Sequence, residues 1–202
     1  MGGMDKGLQL LRGRPMIAWV IDRLAPQVSE IFVNANQNLD QYRKLGPRVV
    51  CDEIGGFAGP LAGVHAGLTA SSRPLLATCP CDSPFLPLDL VSRLRASLDA
   101  RGGDLAVART GDQPQPVFSL VRRRVLPHLA AFLESGGRKF DAWYAALDVV
   151  EVPFDDQEQA FCNINTREEL ASLENNPGKM DEFDNSTGGQ SAVRANIQKR
   201  KF

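Results

Sequence analysis

Short apolar runs alternate with amphipathic segments along most of the chain. The runs with the length and composition of buried strands lie at residues 30–35, 48–53, 74–80, 104–109, 117–121 and 148–153. Apolar residues recur at helical spacing in the segments between and after them, at residues 16–24, 63–70, 88–98, 121–134 and 167–174. In the segment 16–24, for example, Ile17, Val20, Ile21 and Leu24 fall on one helical face.

This alternation predicts an α/β fold with a mostly parallel sheet. Strands that are separated by helices are joined by crossover connections, which place helices on both faces of the sheet. The run at residues 74–80 is apolar almost throughout, as is typical of a strand buried on both sides. After residue 121 the alternation is less regular, which indicates that a second, substrate-binding half is appended.

The length of the chain predicts one domain with a tail. Its 202 residues, 43% of them hydrophobic, are enough for one substantial core. From residue 177 onward the sequence is polar and shows no hydrophobic period. We therefore expect a domain at residues 1–176 and a disordered tail at residues 177–202. A docking helix at residues 191–199 is the alternative interpretation of the tail.

Charge, cysteine content and hydropathy exclude several classes of protein. A formal net charge of -1 lacks the basic excess of a nucleic-acid-binding face, although a mononucleotide needs only a few local donors. The four cysteines have no zinc-site spacing, so reduced thiols in a cytoplasmic protein are expected. No apolar run reaches the length of a membrane span, and the first residues lack the apolar core of a secretory signal.

Polar residues that follow the predicted strands are candidates for ligand binding, because ligands of open parallel sheets bind at the carboxyl ends of the strands. Asn34 and Asn36 come directly after the apolar residues of the first run, where an amide can read a base or ribose edge. Asparagine is also common in turns for purely local reasons. Asp52 lies at the end of the second run and precedes a helix that begins near Pro60. The amino end of that helix can face an anion or be an ordinary capped end.

Asp82 and Lys6 are candidates for phosphate and metal chemistry. Asp82 follows the most apolar run, at the mouth of the predicted sheet. A carboxylate there suits Mg²⁺, which takes one or two protein oxygens and completes its shell with phosphates, although aspartate before Ser-Pro is also a good turn former. Lys6 lies among the glycines of residues 1–7, where backbone amides and a cation can hold a phosphate.

Taken together, these segments resemble the molybdenum cofactor guanylyltransferase family. MGGMDKGLxxLxGRP, VNAN, GPLAG, CPCDSPFLP and NINTREEL occur in this order over residues 1–173. The resemblance implies a Rossmann-like sheet of the nucleotide-diphospho-sugar transferase type. Members of the family begin with an apolar strand and a Leu-Ala-Gly-Gly loop, and this chain begins within the motif that follows them. We therefore expect a sheet without its first strand. A start assigned at an internal methionine is the simplest explanation, and a truncated chain and a decayed gene copy are the alternatives.

The resemblance also implies a reaction. It joins GMP from GTP to molybdopterin, which gives the guanine dinucleotide cofactor and pyrophosphate, with Mg²⁺ as cofactor. The implied partners are GTP, molybdopterin, the recipient molybdoenzymes and their chaperones, with no nucleic acid and no membrane. Two alternatives stay open at this stage. One is a related nucleotidyltransferase that uses CTP or a sugar phosphate, and the other is a non-catalytic adaptor that binds a nucleotide or a pterin.

Individual roles follow from the same resemblance. Lys6 and Asp82 form the catalytic pair, with Asp82 as the metal ligand and Lys6 on the triphosphate. Asn34 and Asp52 join them in binding the nucleotide, on its nucleoside portion. These four positions are the expected nucleotide site.

The predicted pterin contacts lie in the second half of the chain. Gln115 belongs to a polar-proline turn before a strand. Arg138 follows two glycines, where its guanidinium can bind a phosphate or pterin carbonyl, or simply follow a helix end. Asn163 and Asn165 precede a capping box at residues 166–169, which predicts the start of a helix.

Overall fold

The computed structural model of the protein describes residues 5–54, 59–164 and 166–175. The strands are β1 (Leu10–Leu11), β2 (Arg14–Pro15), β3 (Phe32–Asn34), β4 (Arg48–Val50), β5 (Leu75–Thr78), β6 (Leu105–Thr110), β7 (Gln113–Arg122) and β8 (Val149–Pro153). The α-helices are α1 (Met16–Leu24), α2 (Leu39–Arg43), α3 (Pro60–Ala70), α4 (Leu90–Arg101), α5 (Leu126–Glu134), α6 (Phe140–Tyr144) and α7 (Arg167–Asn175). No helix in these residues is both long and apolar enough to cross a bilayer. The predicted tail at residues 177–202 lies outside the described residues.

Apart from the short pair β1-β2, the strands form two groups. β3 and β4 pair in parallel, and the other group has the order β5-β7-β6-β8. β6 and β8 are parallel, whereas β7 is antiparallel to both β5 and β6. β5, β6 and β8 therefore run the same way, and β7 is the reversed strand. The predicted α/β class is confirmed, with a parallel pair in each group, although the apolar pattern at residues 117–121 did not reveal the direction of β7.

Helices cover both faces of the four-stranded sheet. Along β6, Leu105 and Val107 point into a core that α3 and α5 complete. Ala106 and Ala108 point to the opposite face and into a core shared with α4. This separation follows from the alternation of side chains along a strand. β6 is apolar almost throughout and is buried on both faces. The sequence predicted this burial for the apolar strands of the sheet.

An apolar groove separates the two groups of strands. Among the described residues, β3 pairs only with β4 and β5 pairs only with β7. The groove has a volume of about 900 Å³, and Ile21, Val33 and Leu76 contribute to its apolar lining. All residues of β5 are consequently half-buried, where the sequence predicted burial on both sides. The groove agrees with the expectation of a sheet without its first strand, and it extends to Asn34 and Asp82.

The five predicted helices are confirmed, with ends within three residues of the prediction except at one start, which is wrong by five residues. The helix predicted at residues 121–134 begins only at Leu126, with Pro127 in its first turn. Val121 instead belongs to β7, where it pairs with a residue on each neighbouring strand. The capping box that precedes α7 is confirmed: Thr166 N donates to Glu169 Oε2, and Glu169 N donates to Thr166 Oγ1, each at 3.0 Å.

Candidate nucleotide and metal site

The structure brings the sequence-predicted residues at the strand ends to one edge of the sheet. Asn34 is the last residue of β3, and Asp52 and Asp82 follow β4 and β5. Asn34 and Asp82 line the same cavity, because the groove between β3 and β5 opens at this edge. Lys6 reaches it from the first turn of the described chain. The carboxyl ends of the strands therefore collect a lysine, two carboxylates and an amide.

Asp52 is held in place by two asparagines. Asn34 Nδ2 donates to Asp52 Oδ1 at 2.9 Å, and Asn36 Nδ2 donates to Asp52 Oδ2 at 2.7 Å. Asp52 N returns a bond to Asn36 Oδ1 at 2.9 Å. Asn36 therefore has the local, turn-stabilising role that its residue type suggested. Each carboxylate oxygen has more than one acceptor site, so Asp52 is oriented and still able to accept from a ligand hydroxyl or amine.

Asp82 is more buried than the sequence suggested. Its side chain is only 10% exposed, whereas that of Lys6 is 42% exposed. Lys6 Nζ lies 3.4 Å from Asp82 Oδ2, a distance that indicates an ion pair rather than a tight hydrogen bond. A buried carboxylate requires a nearby cation or several donors. The Asp82 carboxylate is therefore stabilised by a neighbouring cation, and the more exposed Lys6 ammonium provides one.

The loop that carries Asp82 is tied to the segment before α7. Ser83 Oγ donates to Asn163 Oδ1, and Ile164 N donates to Asp82 O at 3.0 Å. These bonds place Asn163 next to the loop that carries Asp82, and its contact with the substrate stays a prediction. Asn165, its predicted companion, lies outside the described residues.

The other two predicted pterin residues make local contacts. Gln115 Nε2 donates to Thr110 Oγ1 at 2.9 Å. Arg138 Nη1 donates to the carbonyl of Leu133 at 2.8 Å, so it caps the carboxyl end of α5. No hydrogen bond or ion pair within the described residues joins Gln115 or Arg138 to the residues at the strand ends. The contacts of Arg138 agree with the alternative given above, in which this residue simply follows a helix end.

The donor set at this edge fits magnesium better than zinc. No group of three histidine, cysteine, aspartate or glutamate side chains in residues 5–54, 59–164 and 166–175 is arranged as a metal cage. Zinc sites need three or four protein ligands, whereas magnesium is usually held by one or two carboxylates together with water and substrate phosphates. Asp82 supplies such a carboxylate, and its burial favours a cation next to it.

Two cysteines flank the site and have thiols of low reactivity. Cys79 and Cys81 are half-buried after β5, whereas Cys51 and Cys162 are exposed. Burial, with the neighbouring Cys81, raises the pKa of Cys79 to about 12. Burial, with the neighbouring Asp82 carboxylate, raises the pKa of Cys81 to about 11. Both thiols stay protonated at neutral pH, so neither is suited to act as a nucleophile.

Alkylation should separate these two pairs of thiols. With iodoacetamide at pH 8, Cys51 and Cys162 are expected to react first, because only the thiolate attacks and Cys79 and Cys81 carry little of it. Peptide mass mapping over time provides the measurement. Rapid labelling of Cys81 in the folded protein would contradict the raised pKa of that thiol.

Sequence reasoning assigned no role to Asp5 or Tyr42. Tyr42 Oη donates to Asp5 Oδ1 at 2.5 Å, and Asp5 directly precedes Lys6 in the chain. Asp5 lies within the glycine-rich motif, and its position next to Lys6 was the signal that could have drawn attention to it. Tyr42 had no comparable signal, because α2 is five residues long and too short to show a hydrophobic period.

Comparison with known proteins identifies the family. Residues 1–149 match the family model described as MobA-like NTP transferase domain. The molybdenum cofactor guanylyltransferase of Burkholderia lata is 50% identical over 182 residues, which cover 86% of this chain and 88% of that protein. The enzyme of the same name from Shewanella putrefaciens is 48% identical over 169 residues, with 84% and 87% covered.

Solved structures support the same fold. Molybdopterin-guanine dinucleotide biosynthesis protein A from Archaeoglobus fulgidus is similar with a TM-score of 0.72 and 26% identity, over 88% of this chain and 93% of that one. A 2-C-methyl-D-erythritol 4-phosphate cytidylyltransferase from Thermus thermophilus has a TM-score of 0.64 and 20% identity, over 86% and 93%, which shows a common fold. The predicted nucleotidyltransferase fold is thus confirmed, and the chain belongs to the molybdenum cofactor guanylyltransferase family of MobA-like NTP transferases.

Proposed function

We propose that the protein transfers GMP from GTP to the terminal phosphate of molybdopterin. An oxygen of the acceptor phosphate forms a bond to the α-phosphorus of GTP, and the bond between that phosphorus and the bridging oxygen of pyrophosphate breaks. The products are molybdopterin guanine dinucleotide and pyrophosphate. The observation that carries the proposal is the Lys6–Asp82 ion pair beside the Asn34–Asp52 cluster at the carboxyl edge of the sheet. The names of the relatives support guanine as the base.

The reaction needs charge stabilisation more than proton transfer. The second pKa of a phosphate monoester is about 6, so the acceptor is largely ionised at neutral pH and requires no general base. Asp82 would hold magnesium, which when bound polarises the α-phosphate and offsets the charge of the pyrophosphate. Lys6 is exposed enough to leave Asp82 and bind the triphosphate, because its ammonium is linked by a flexible chain.

The nucleoside portion of GTP would lie against the Asn34–Asp52 cluster. The Asp52 carboxylate is already oriented by Asn34 and Asn36, so binding a ribose hydroxyl or a base amine there costs little reorganisation. For the acceptor, the bond from Ser83 to Asn163 supports Asn163 as a contact near the reacting phosphates. Gln115, Arg138 and Asn165 stay proposals for the pterin on the family resemblance alone.

We place the reaction in the cytoplasm. No disulfide joins the four cysteines, all of which lie within the described residues, and this is usual where glutathione and thioredoxin keep thiols reduced. The product cofactor would then pass to molybdoenzymes or to their chaperones, which we propose as the downstream partners.

A nucleotide-selectivity assay tests the proposed function. Purified protein with molybdopterin and magnesium chloride is supplied with GTP, CTP, ATP or UTP, and pyrophosphate release and dinucleotide formation are followed together. The expected result is turnover with GTP, strongly preferred over the others. A preference for CTP would indicate a cytidylyltransferase instead. Binding of GTP without any turnover would indicate the non-catalytic adaptor.

Gly63 provides a test of the Asn34–Asp52 cluster. A Cβ at this position of α3 would lie 2.7 Å from Asn34 Oδ1, closer than two such atoms can approach. Gly63→Ala is therefore expected to displace the Asn34 amide and to weaken the binding of magnesium-GTP by about tenfold, the cost of losing about one good hydrogen bond. Calorimetric titration provides the measurement. Stability should not fall, because alanine favours a helix over glycine by about 1 kcal/mol.

Gly67→Ala, one turn later on the same helix, is the matched control. Its Cβ would approach Leu76 Cδ2 at 3.0 Å, and that apolar side chain can move away. The control should therefore keep its affinity for GTP. Equal affinities in the two variants would remove Asn34 from the nucleotide site.

A further inference from the structure

The Asp5 carboxylate accepts hydrogen bonds from two side chains at α2, one on the residue before the helix and one within it. Tyr42 Oη donates to Asp5 Oδ1 at 2.5 Å, and Asn38 Nδ2 donates to Asp5 Oδ2 at 3.1 Å. Asn38 has φ 53 and ψ 30 and precedes the helix, yet its side chain makes no capping bond to α2. Its amide nitrogen is directed to Asp5 instead. Both oxygens of the Asp5 carboxylate thus have donors from one short helix, and we call these three residues the Asp5 clamp.

The packing around the clamp leaves the backbone after Asp5 little freedom. Tyr42 is only 4% exposed and packs with Ile17 and Val33 in one apolar cluster. A Cβ at Gly7 would lie 2.8 Å from Tyr42 Oη and 3.1 Å from Cys81 Sγ. The chain at Gly7 therefore passes closely between α2 and the loop that carries the metal candidate. Only glycine fits there without displacing one of these two neighbours.

The Tyr42 hydroxyl keeps its proton and therefore remains a hydrogen-bond donor. Burial, together with the hydrogen bond to Asp5, holds the pKa of Tyr42 well above its usual value. The hydroxyl therefore stays protonated across the pH range of any assay, and it donates to Asp5 throughout. Asp5 in turn precedes Lys6, whose ammonium reaches Asp82.

We propose that Tyr42 is a positioning residue that acts through Asp5 to fix the backbone of Lys6, so that its ammonium lies between Asp82 and the incoming triphosphate. Tyr42 reaches the reaction only through this chain of contacts and touches no substrate. The inference rests on the proposed nucleotidyl transfer for its role in turnover. The geometric basis is independent of that function, because the clamp, the close passage at Gly7 and the Lys6–Asp82 pair are features of the fold.

A mutant cycle between Tyr42 and Lys6 tests the proposal. Tyr42→Phe keeps the buried ring and removes the donor, so kcat/KM for GTP is expected to fall about tenfold, as misplacement of a catalytic group usually causes. The KM for molybdopterin should not change. In a Lys6→Ala background, Tyr42→Phe is expected to change kcat/KM less than twofold, because the group it positions is gone. Equal effects in the two backgrounds would overturn the proposal.

Two further variants separate positioning from general stability. Tyr144→Phe removes another mostly buried hydroxyl, which donates to the Pro116 carbonyl at 3.1 Å, and serves as the control. Both phenylalanine variants should melt at similar temperatures, while only Tyr42→Phe loses activity. Asp5→Asn, which loses one acceptor of the clamp, should weaken turnover without adding to the effect of Tyr42→Phe. Equal activity of the Tyr42 and Tyr144 variants would show that the hydroxyl of Tyr42 has no positioning role.

Binding of inorganic triphosphate with magnesium distinguishes failure of the clamp from failure of the proposed function. This probe contacts the phosphate groups without a base or an acceptor. Tyr42→Phe should weaken its binding by about tenfold in the Lys6 background and not in the Lys6→Ala background. If the unmodified protein transfers no GMP, the proposed function is wrong, and this binding cycle alone decides the role of Tyr42. Equal triphosphate affinity of the Tyr42→Phe variant and the unmodified protein would overturn the inference even in an active enzyme.

Discussion

Asp82→Asn is expected to reduce guanylyl transfer by about a thousandfold while the protein stays folded. An asparagine has nearly the same size and fits the same pocket, but its amide carries no charge to hold a divalent cation. Removal of one preorganised electrostatic group from a transition state of this kind typically costs a factor of about 100 to 1,000. Loss of the metal itself places the result at the upper end of that range. Steady-state pyrophosphate release, with magnesium varied, provides the measurement.

Asp99→Asn is the matched control for this experiment. Asp99 is also an aspartate in an ion pair, 3.0 Å from Arg122, but its side chain is 50% exposed and lies on α4. Exposed pairs contribute at most about 1 kcal/mol, so this variant should keep its turnover and melt within a few degrees of the unmodified protein. If the Asp82→Asn protein is folded and keeps its turnover within a factor of about ten, Asp82 does not hold the metal.

The candidate site was predictable where one physical rule links sequence to position. In a mostly parallel sheet the carboxyl ends of the strands meet at one edge. Asn34, Asp52 and Asp82 each follow an apolar run, and the structure brings them to that edge. The rule gave no contacts, however. That Asn34 and Asn36 both hold Asp52, and that Asp82 is buried, depend on side-chain geometry that spacing does not encode.

The features that sequence reasoning missed depend on contacts that composition and spacing do not encode. Strand β7 runs opposite to its neighbours because Thr110 and Gln113 are joined by a tight turn, and an apolar run looks the same in either direction. Tyr42 meets Asp5 across 37 positions of sequence. Arg138 was a candidate for the pterin because it is a cation on a glycine loop, yet its Nη1 already donates to the carbonyls of Leu133, in the last turn of α5, and of Gly137.

The burial of β5 shows the same limit. Its apolar residues predicted a strand covered on both sides, because periodicity reports which side chains avoid water and not what covers them. In the structure one edge of β5 faces the groove, so Leu75 and Leu76 are only half-buried. Composition therefore identified the strand correctly, while the identity of its neighbours required the three-dimensional structure.

Lys6→Ala is expected to reduce kcat/KM for GTP by about a hundredfold. The Lys6 ammonium lies 3.4 Å from a buried carboxylate, so it balances Asp82 when no other cation is bound. With magnesium-GTP bound, Asp82 would hold the metal, and the Lys6 ammonium would turn to the triphosphate. Its charge then offsets the negative charge that moves onto the departing pyrophosphate. One such donor is worth a factor of about 100 or more in turnover.

Lys44→Ala provides the control, because Lys44 is an exposed lysine at the end of α2. This substitution lowers the net charge by the same amount as Lys6→Ala. It should leave kcat/KM for GTP unchanged. Lys6→Arg should recover only part of the lost activity, because a guanidinium keeps the charge but is planar and bulkier than an ammonium. The KM for molybdopterin is expected to stay constant in all three variants. A Lys6→Ala protein with the affinity and turnover of the Lys44→Ala control would show that the triphosphate is held by other groups.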